Sequence, residues 1–313
     1  MLDNFEHRKY SNANMLILGS SGAGKTYFLQ SLALRLREKQ THVFIISPKN
    51  GSEFMRACEA IGGSFIVIAP GSKHNINIME LRQKVSGPEE LDMDRMTSHL
   101  AEKIQKVMGF FYLLMPEITY EEKQVLDEAL VDTYAKFGIT NDNDSLWDPE
   151  HPGRFRPMPT LKDLYETLEE LGTDAKRLKN VLARFVTGSA SSFSNQTNVS
   201  LDNKYVVLDV SRLGDEMIPI GMYVALDYVW DKAREDILTK KAIIMDEGWK
   251  LIGLTGSKDS AKFVLNVFKL IRGFNRSGII ASQDLNDFLT ANGGEFGRGI
   301  INNSEIQTRK IRS

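Results

Sequence analysis

Gly19-Ser20-Ser21-Gly22-Ala23-Gly24-Lys25-Thr26 fits the pattern G-x-x-x-x-G-K-[ST], and this octet restricts the fold more than any other stretch of the chain. The apolar run Met15-Leu16-Ile17-Leu18 before it predicts a buried parallel strand. Thr26 to Glu38 predicts a helix, with Phe28, Leu29, Leu32, Leu34 and Leu36 as its apolar positions. A strand that runs through a glycine loop into a helix is the setting the pattern needs. Glycines let backbone N–H groups curl around an anion without a Cβ in the way. The helix N-terminus adds partial positive charge. In such a cradle Lys25 reaches the β- and γ-phosphates and the Thr26 hydroxyl binds Mg²⁺. The expected phosphate-binding residues are Gly19, Ser20, Ser21, Gly22, Ala23, Gly24, Lys25, Thr26 and Tyr27.

A phosphate loop of this kind needs a carboxylate at the end of a neighbouring strand to hold the metal, commonly through water. Ala242-Ile243-Ile244-Met245-Asp246-Glu247 supplies it, apolar residues followed by two acids. In parallel sheets the carboxyl ends of the strands are where ligands bind. Asp246 is the expected magnesium partner, and Glu247 the base that polarises an attacking water. Some 220 residues separate Lys25 from Asp246. Compact nucleotide kinases have no room for that spacing, and a dedicated water-activating acid suits hydrolysis. Further on, the segment from Gly278 to Gln283 reads as a strand whose tip carries an amide beside the cradle. Gln283 there can feel the terminal phosphate. Arg272 and Arg276 precede that strand; each is a candidate to reach a neighbouring subunit's nucleotide, or a helix-end cation favoured by the dipole.

Composition narrows the class. The chain has 313 residues, 42% hydrophobic and 26% charged, which suits a globular chain of one large domain or two. A net charge of −2 carries no global signature of a nucleic-acid binder. Cys58 is the single cysteine, so neither an internal disulfide nor a zinc site on paired cysteines can form. The histidines show no close spacing, which leaves Mg²⁺ as the expected metal. The apolar run Phe110 to Met115 is too short for a membrane span, which takes about 20 residues, and no signal peptide is visible. The expected location is the cytoplasm.

Along the chain, strands are expected at His42 to Ile46 and Phe65 to Ile68, with a helix around Glu53 to Ile61. From about residue 86 the pattern turns helical. Thr119-Tyr120-Glu121-Glu122 is a capping box, Gly138 stops the helix behind it, and Thr160 and Asp174 open two more. Strands return at Tyr205 to Val210 and Lys241 to Asp246, with helices over roughly 215–236 and 260–274. The expected architecture is α/β: a P-loop core with a mainly parallel sheet at 1–85 and 201–313, interrupted by an all-α insertion domain at 86–200.

The segments GSSGAGKT, IIMDEGW at 243–249 and RGFNRSGIIASQD at 272–284 together resemble the conjugative-transfer ATPases of type IV secretion systems, the TraC/CagE group of VirB-family ATPases in the HerA/FtsK clan. SPKNGSEF and GGSFIVIAPGS echo the same group, and Trp249 in the Asp-Glu-x-Trp form is its most specific element. The resemblance implies a hexameric, RecA-like motor that hydrolyses ATP with Mg²⁺. It implies Lys25 and Thr26 as nucleotide and metal ligands, Asp246 and Glu247 as metal partner and base, and Gln283 as the γ-phosphate sensor. It matches Arg272 best to an arginine acting in trans. The implied partners are other secretion-channel components, further copies of the chain, and a DNA or protein cargo, at the inner face of the cell membrane. Members of the group carry a large amino-terminal domain and continue past the position of Ser313, so the chain reads as a C-terminal ATPase domain. Two further functions fit the same residues: a DNA translocase or coupling-protein-like ATPase of the clan, and a nucleotide-stabilised structural assembly factor.

Overall fold

The computed structural model describes residues 5, 12–20, 22–49, 51–82, 97–235, 238–252, 258–271, 276–283, 286, 289 and 294–310. They form two compact units, Met1–Ile68 with Ser200–Ser313, and Ala69–Val199. In chain order the elements are β1 Met15–Gly19, α1 Lys25–Glu38, β2 His42–Ser47, α2 Gly51–Ala60 and β3 Ser64–Val67. The second unit then holds α3 His99–Leu114, α4 Tyr120–Lys136, α5 Leu161–Glu170 and α6 Lys176–Val186. The first unit resumes with β4 Tyr205–Asp209, α7 Ile218–Arg234, β5 Lys241–Met245, α8 Trp249–Ile252, α9 Lys258–Ile271, β6 Arg276–Ser282, α10 Glu295–Asn302 and β7 Ile306–Lys310.

The seven strands make one sheet in the order β3-β4-β2-β5-β6-β1-β7, and every pairing is parallel. Central strands such as Val43-Phe44-Ile45-Ile46 and Ala242-Ile243-Ile244-Met245 are buried along their whole length. That is why they read as continuous apolar runs rather than as alternations. Right-handed crossovers put α1 and α2, which carry the chain outward to β3, on one face. Leu29, Ala33 and Phe54 from these helices join Ile17, Ile45 and Ile244 from the sheet in one core cluster. On the other face α9 comes so close to β6 that a Cβ on Gly278 would lie 2.8 Å from the Phe268 ring.

The last two elements had no counterpart in the expectation. β7 begins with a buried Ile306 and continues Gln307-Thr308, which carries no strand pattern of its own. Its order comes from pairing with β1, Ile306 beside Met15 and Lys310 beside Gly19. The fully buried Asn14 ties this edge together. Its Nδ2 donates to the carbonyls of Phe268 at 2.8 Å and Asn303 at 3.0 Å, and its Oδ1 accepts from the Gly278 N–H at 2.8 Å. A single buried amide thus joins α9, the end of α10 and β6.

In the helical unit both capping boxes form, Thr119 with Glu122 and Thr160 with Asp163. Gly138 ends α4 with φ 74°, a left-handed conformation that costs glycine no steric strain. Phe110, Phe111, Phe185 and Phe193 pack edge to face at its centre. This unit starts at Ala69, ahead of the change of pattern at 86, because the polar segment after β3 packs among helices. Asn77 Nδ2 donates to the Pro159 carbonyl at 2.8 Å, and the Tyr134 hydroxyl donates to the Met79 carbonyl at 2.5 Å. Among the described residues no helix is long and apolar enough to cross a membrane.

Candidate active site

The cradle is made where β1 gives way to α1. Gly22 and Gly24 have φ of 76° and 77°, a conformation open to glycine and strained for side chains. Gly24 is the N-cap of α1 and contributes no side-chain cap, so the N–H groups of the first turn are left for an anion. Lys25, 8% exposed, folds back over the loop: its Nζ donates to the Gly19 carbonyl at 2.9 Å and lies 3.7 Å from Glu247 Oε1.

Asp246 and Glu247 leave the tip of β5. The Asp246 N–H donates to the Ile46 carbonyl at 3.1 Å, which holds this tip against β2. The Asp246 side chain is buried, and its Oδ1 makes no hydrogen bond with the described residues. Burial, with the Glu247 charge beside it, pushes the carboxyl up to about 6, against the pull of the Lys25 ammonium. A buried carboxylate oxygen without a partner is costly unless a cation or a donor reaches it. That orphaned oxygen, in one cavity with the Thr26 hydroxyl, fits a magnesium site.

Glu247 is buried and has φ 49°, a left-handed backbone that costs a non-glycine residue about 1 kcal/mol. Four donors surround its carboxylate. Gln283 Nε2 donates to Oε1 at 2.8 Å, and Trp249 Nε1 donates to Oε2 at 2.5 Å. Lys25 and Lys49 approach Oε1 at 3.7 and 3.5 Å. The turn is pressed onto β6, for a Cβ on Gly248 would lie 2.9 Å from Ile280 Cγ2. The strain therefore sits where the protein aims a carboxylate into the cavity.

Ser20, Gly22, Gly24, Lys25, Thr26, Tyr27, Asp246, Glu247 and Gln283 all line this one cavity of about 330 Å³. Gly19 and Ala23 belong to the same loop; Ser21 and Arg272 lie outside the described residues. Arg276 is a different matter. It opens β6 at the strand end away from the cradle, paired with Lys241, and is 2% exposed. It is the first of seven strand residues, which place it about 20 Å from the ligand end. Arg276 is thus buried in the sheet and does not line the cavity of its own chain. Two cavity residues went unassigned in the sequence, Lys49 at the end of β2 and Glu53 on α2. Trp249 carried a family signal but no role.

The model of the family described as TraG P-loop domain matches residues 2–98 and 162–310. Protein TraC of Escherichia coli (strain K12) is 22% identical over 97% of this chain, which spans 33% of TraC's length. The structure of VirB4 of Thermoanaerobacter pseudethanolicus superposes with a TM-score of 0.84 at 28% identity, over 99% of this chain and 80% of that one. The plasmid coupling protein TrwB in complex with ADP and Mg²⁺ superposes with a TM-score of 0.55 at 15% identity, over 93% of this chain and 68% of TrwB. This last likeness is one of fold alone. The parallel α/β architecture expected from the residues, with the RecA-like core that the resemblance implies, is the fold that these P-loop proteins share.

Proposed function

We propose, because this chain belongs to the TraG P-loop domain family, that it is the ATP-hydrolysing motor domain of a type IV secretion or conjugation machine. The observation that carries this reading is Glu247: a buried carboxylate, 3.7 Å from the phosphate-loop lysine, beside an aspartate with an orphaned oxygen. The core at 1–85 and 201–313 and the helical segment between them make up one such motor domain. Its partners are the channel components and further copies of itself.

In this reading the loop N–H groups and Lys25 take the β- and γ-phosphates. Thr26 and, through water, Asp246 would hold magnesium, which would supply positive charge to the phosphate oxygens. Glu247 Oε1 accepts a proton from a water in line with the γ-phosphorus. The new P–O bond forms as the β–γ bridging P–O bond breaks, and ADP and phosphate leave. Trp249 holds Oε2, so the carboxylate meets that water with Oε1. Gln283, hydrogen-bonded to Oε1 in the structure, couples the tip of β6 to the presence of the terminal phosphate.

Steady-state ATPase assays on Lys25→Ala and Glu247→Gln test the reading. Loss of the base costs about 10²–10⁴ in turnover, with ATP still bound by Glu247→Gln. Unchanged turnover in both variants overturns it. A Glu247→Gln protein that binds ATP and restores secretion in cells assigns the chain to scaffolding instead.

A further inference from the structure

Lys49 stands just past the end of β2, and the chemistry of the phosphate loop gives it no part. Its ammonium lies 3.5 Å from Glu247 Oε1, and that of Lys25 lies 3.7 Å from the same oxygen. The two nitrogens are therefore within about 7 Å of each other. Two charge-assisted contacts of about 2.8 Å each, with the width of one phosphate between them, cover that separation. The group that both lysines touch in the structure is a carboxylate held where the cavity meets the tips of β2 and β5.

The lysine is anchored below and free above. Ser47, fully buried and in register with Asp209, donates its hydroxyl to the Lys49 carbonyl at 2.7 Å. Two residues later Gly51 is pressed against the Asp209 side chain, where an added Cβ would lie 2.0 Å from Cγ. The turn is thus pinned on both sides. The Lys49 side chain itself is 45% exposed, against 4% for Glu247. It can swing from a weak contact to a stronger one without moving the backbone, and a phosphate oxygen carrying a full share of triphosphate charge is the stronger partner.

We propose that Lys49 is a second lysine ligand of the terminal phosphate. It rests against Glu247 when that phosphate is absent and moves to the γ-phosphate oxygens when a triphosphate binds. The inference rests on the nucleotide-site reading above and adds to it. Lys25 serves both the β- and γ-phosphates, whereas Lys49 serves the γ-phosphate alone, so Lys49 distinguishes ATP from ADP. Its release from Glu247 leaves that carboxylate to Trp249, Gln283 and the attacking water.

Calorimetric titration of the full chain with Mg-ADP and with the imido analogue of Mg-ATP tests this. Lys49→Ala is expected to weaken the triphosphate analogue by about tenfold or more, the size of one charge-assisted contact, and to leave ADP within about twofold. Lys49→Arg is expected to keep most of the preference for triphosphate. The tenfold loss is expected to persist when Lys49→Ala is made in a Glu247→Gln background. A loss that vanishes in that background means Lys49 acts only through Glu247, and overturns the proposal. So does an equal change for both nucleotides, or no change for either. A wild-type chain that binds neither nucleotide overturns the nucleotide site itself, and Lys49's role with it. Retained ADP binding shows that each variant is folded.

Discussion

The two ends of the central sheet bury polar groups in opposite ways. At the carboxyl end, Lys25, Asp246 and Glu247 are almost fully buried, yet they line a cavity that opens to ligand, and Asp246 Oδ1 has no partner among the described residues. At the amino end, His42, Lys241 and Arg276 lie side by side in register and equally buried, none of them lining that cavity, and His42 Nε2 likewise has no hydrogen-bond partner among the described residues. There, burial and the neighbouring charges of Lys241 and Lys232 push the His42 imidazole down to about 4, and its ring stacks on Phe44 with centroids 4.4 Å apart. The same sheet therefore holds one set of buried groups that line a cavity and one set packed into the strand starts away from it. Burial alone identifies neither; access decides.

That contrast can be broken experimentally. The largest effect is expected from Glu247→Gln, which removes about 10²–10⁴ of turnover while chemical unfolding stays close to wild type. Arg276→Ala is expected to act the other way round. It empties the space of one of the largest buried side chains and costs about 2–5 kcal/mol of stability through lost packing and the cavity left behind, and nucleotide affinity of the folded protein is unchanged. If Arg276→Ala instead lost turnover at full stability, the division between the two ends would fail.

Two smaller effects sharpen the comparison through pH. Asp246 has its carboxyl raised from 3.8 to about 6. Its stabilising share is present below pH 3.8 and is lost as pH rises through 6, worth about 2–3 kcal/mol. In metal-free buffer at pH 7, Asp246→Asn should therefore be more stable than wild type by about that amount, and should no longer hydrolyse ATP. His42 has the opposite sign. Its imidazole is lowered from 6.5 to about 4. Its share is present above pH 6.5 and is lost as pH falls through 4, about 2 kcal/mol after allowance for partial hydration. In the wild type the two slopes oppose each other across pH 4 to 6. Urea unfolding against pH should show stability rising with pH in Asp246→Asn and falling with pH in His42→Gln. Parallel slopes in the two variants would contradict both assignments.

Much of this site was legible in the chain because local pattern and chemistry coincide there. The octet at 19–26, the apolar run ending in Asp246-Glu247 and the tip at Gln283 each announce a strand end with a polar group. Parallel sheets put such ends on one side. Lys49 was not legible, because one lysine in a turn after a strand looks like any solvated cation until β2 is seen beside β5. β7 was hidden for a related reason: an edge strand of mixed polarity owes its conformation to its partner. Arg276 read as a helix-end cation or a trans-acting arginine because it follows a predicted helix, while the sheet buries it.

The residue order by itself determined the phosphate loop, the acid pair, the parallel α/β class and the capped helices of the inserted unit. Those depend on neighbours within a few positions, where backbone geometry and apolar spacing act directly. Only the tertiary structure decided which of the remaining cations and amides face the cavity. It placed Lys49 in and Arg276 out, clamped Glu247 with Trp249 and Gln283, and knotted the sheet edge through Asn14. Pairing between segments far apart in the chain sets those positions, and the strand order that governs it is not written in any one segment.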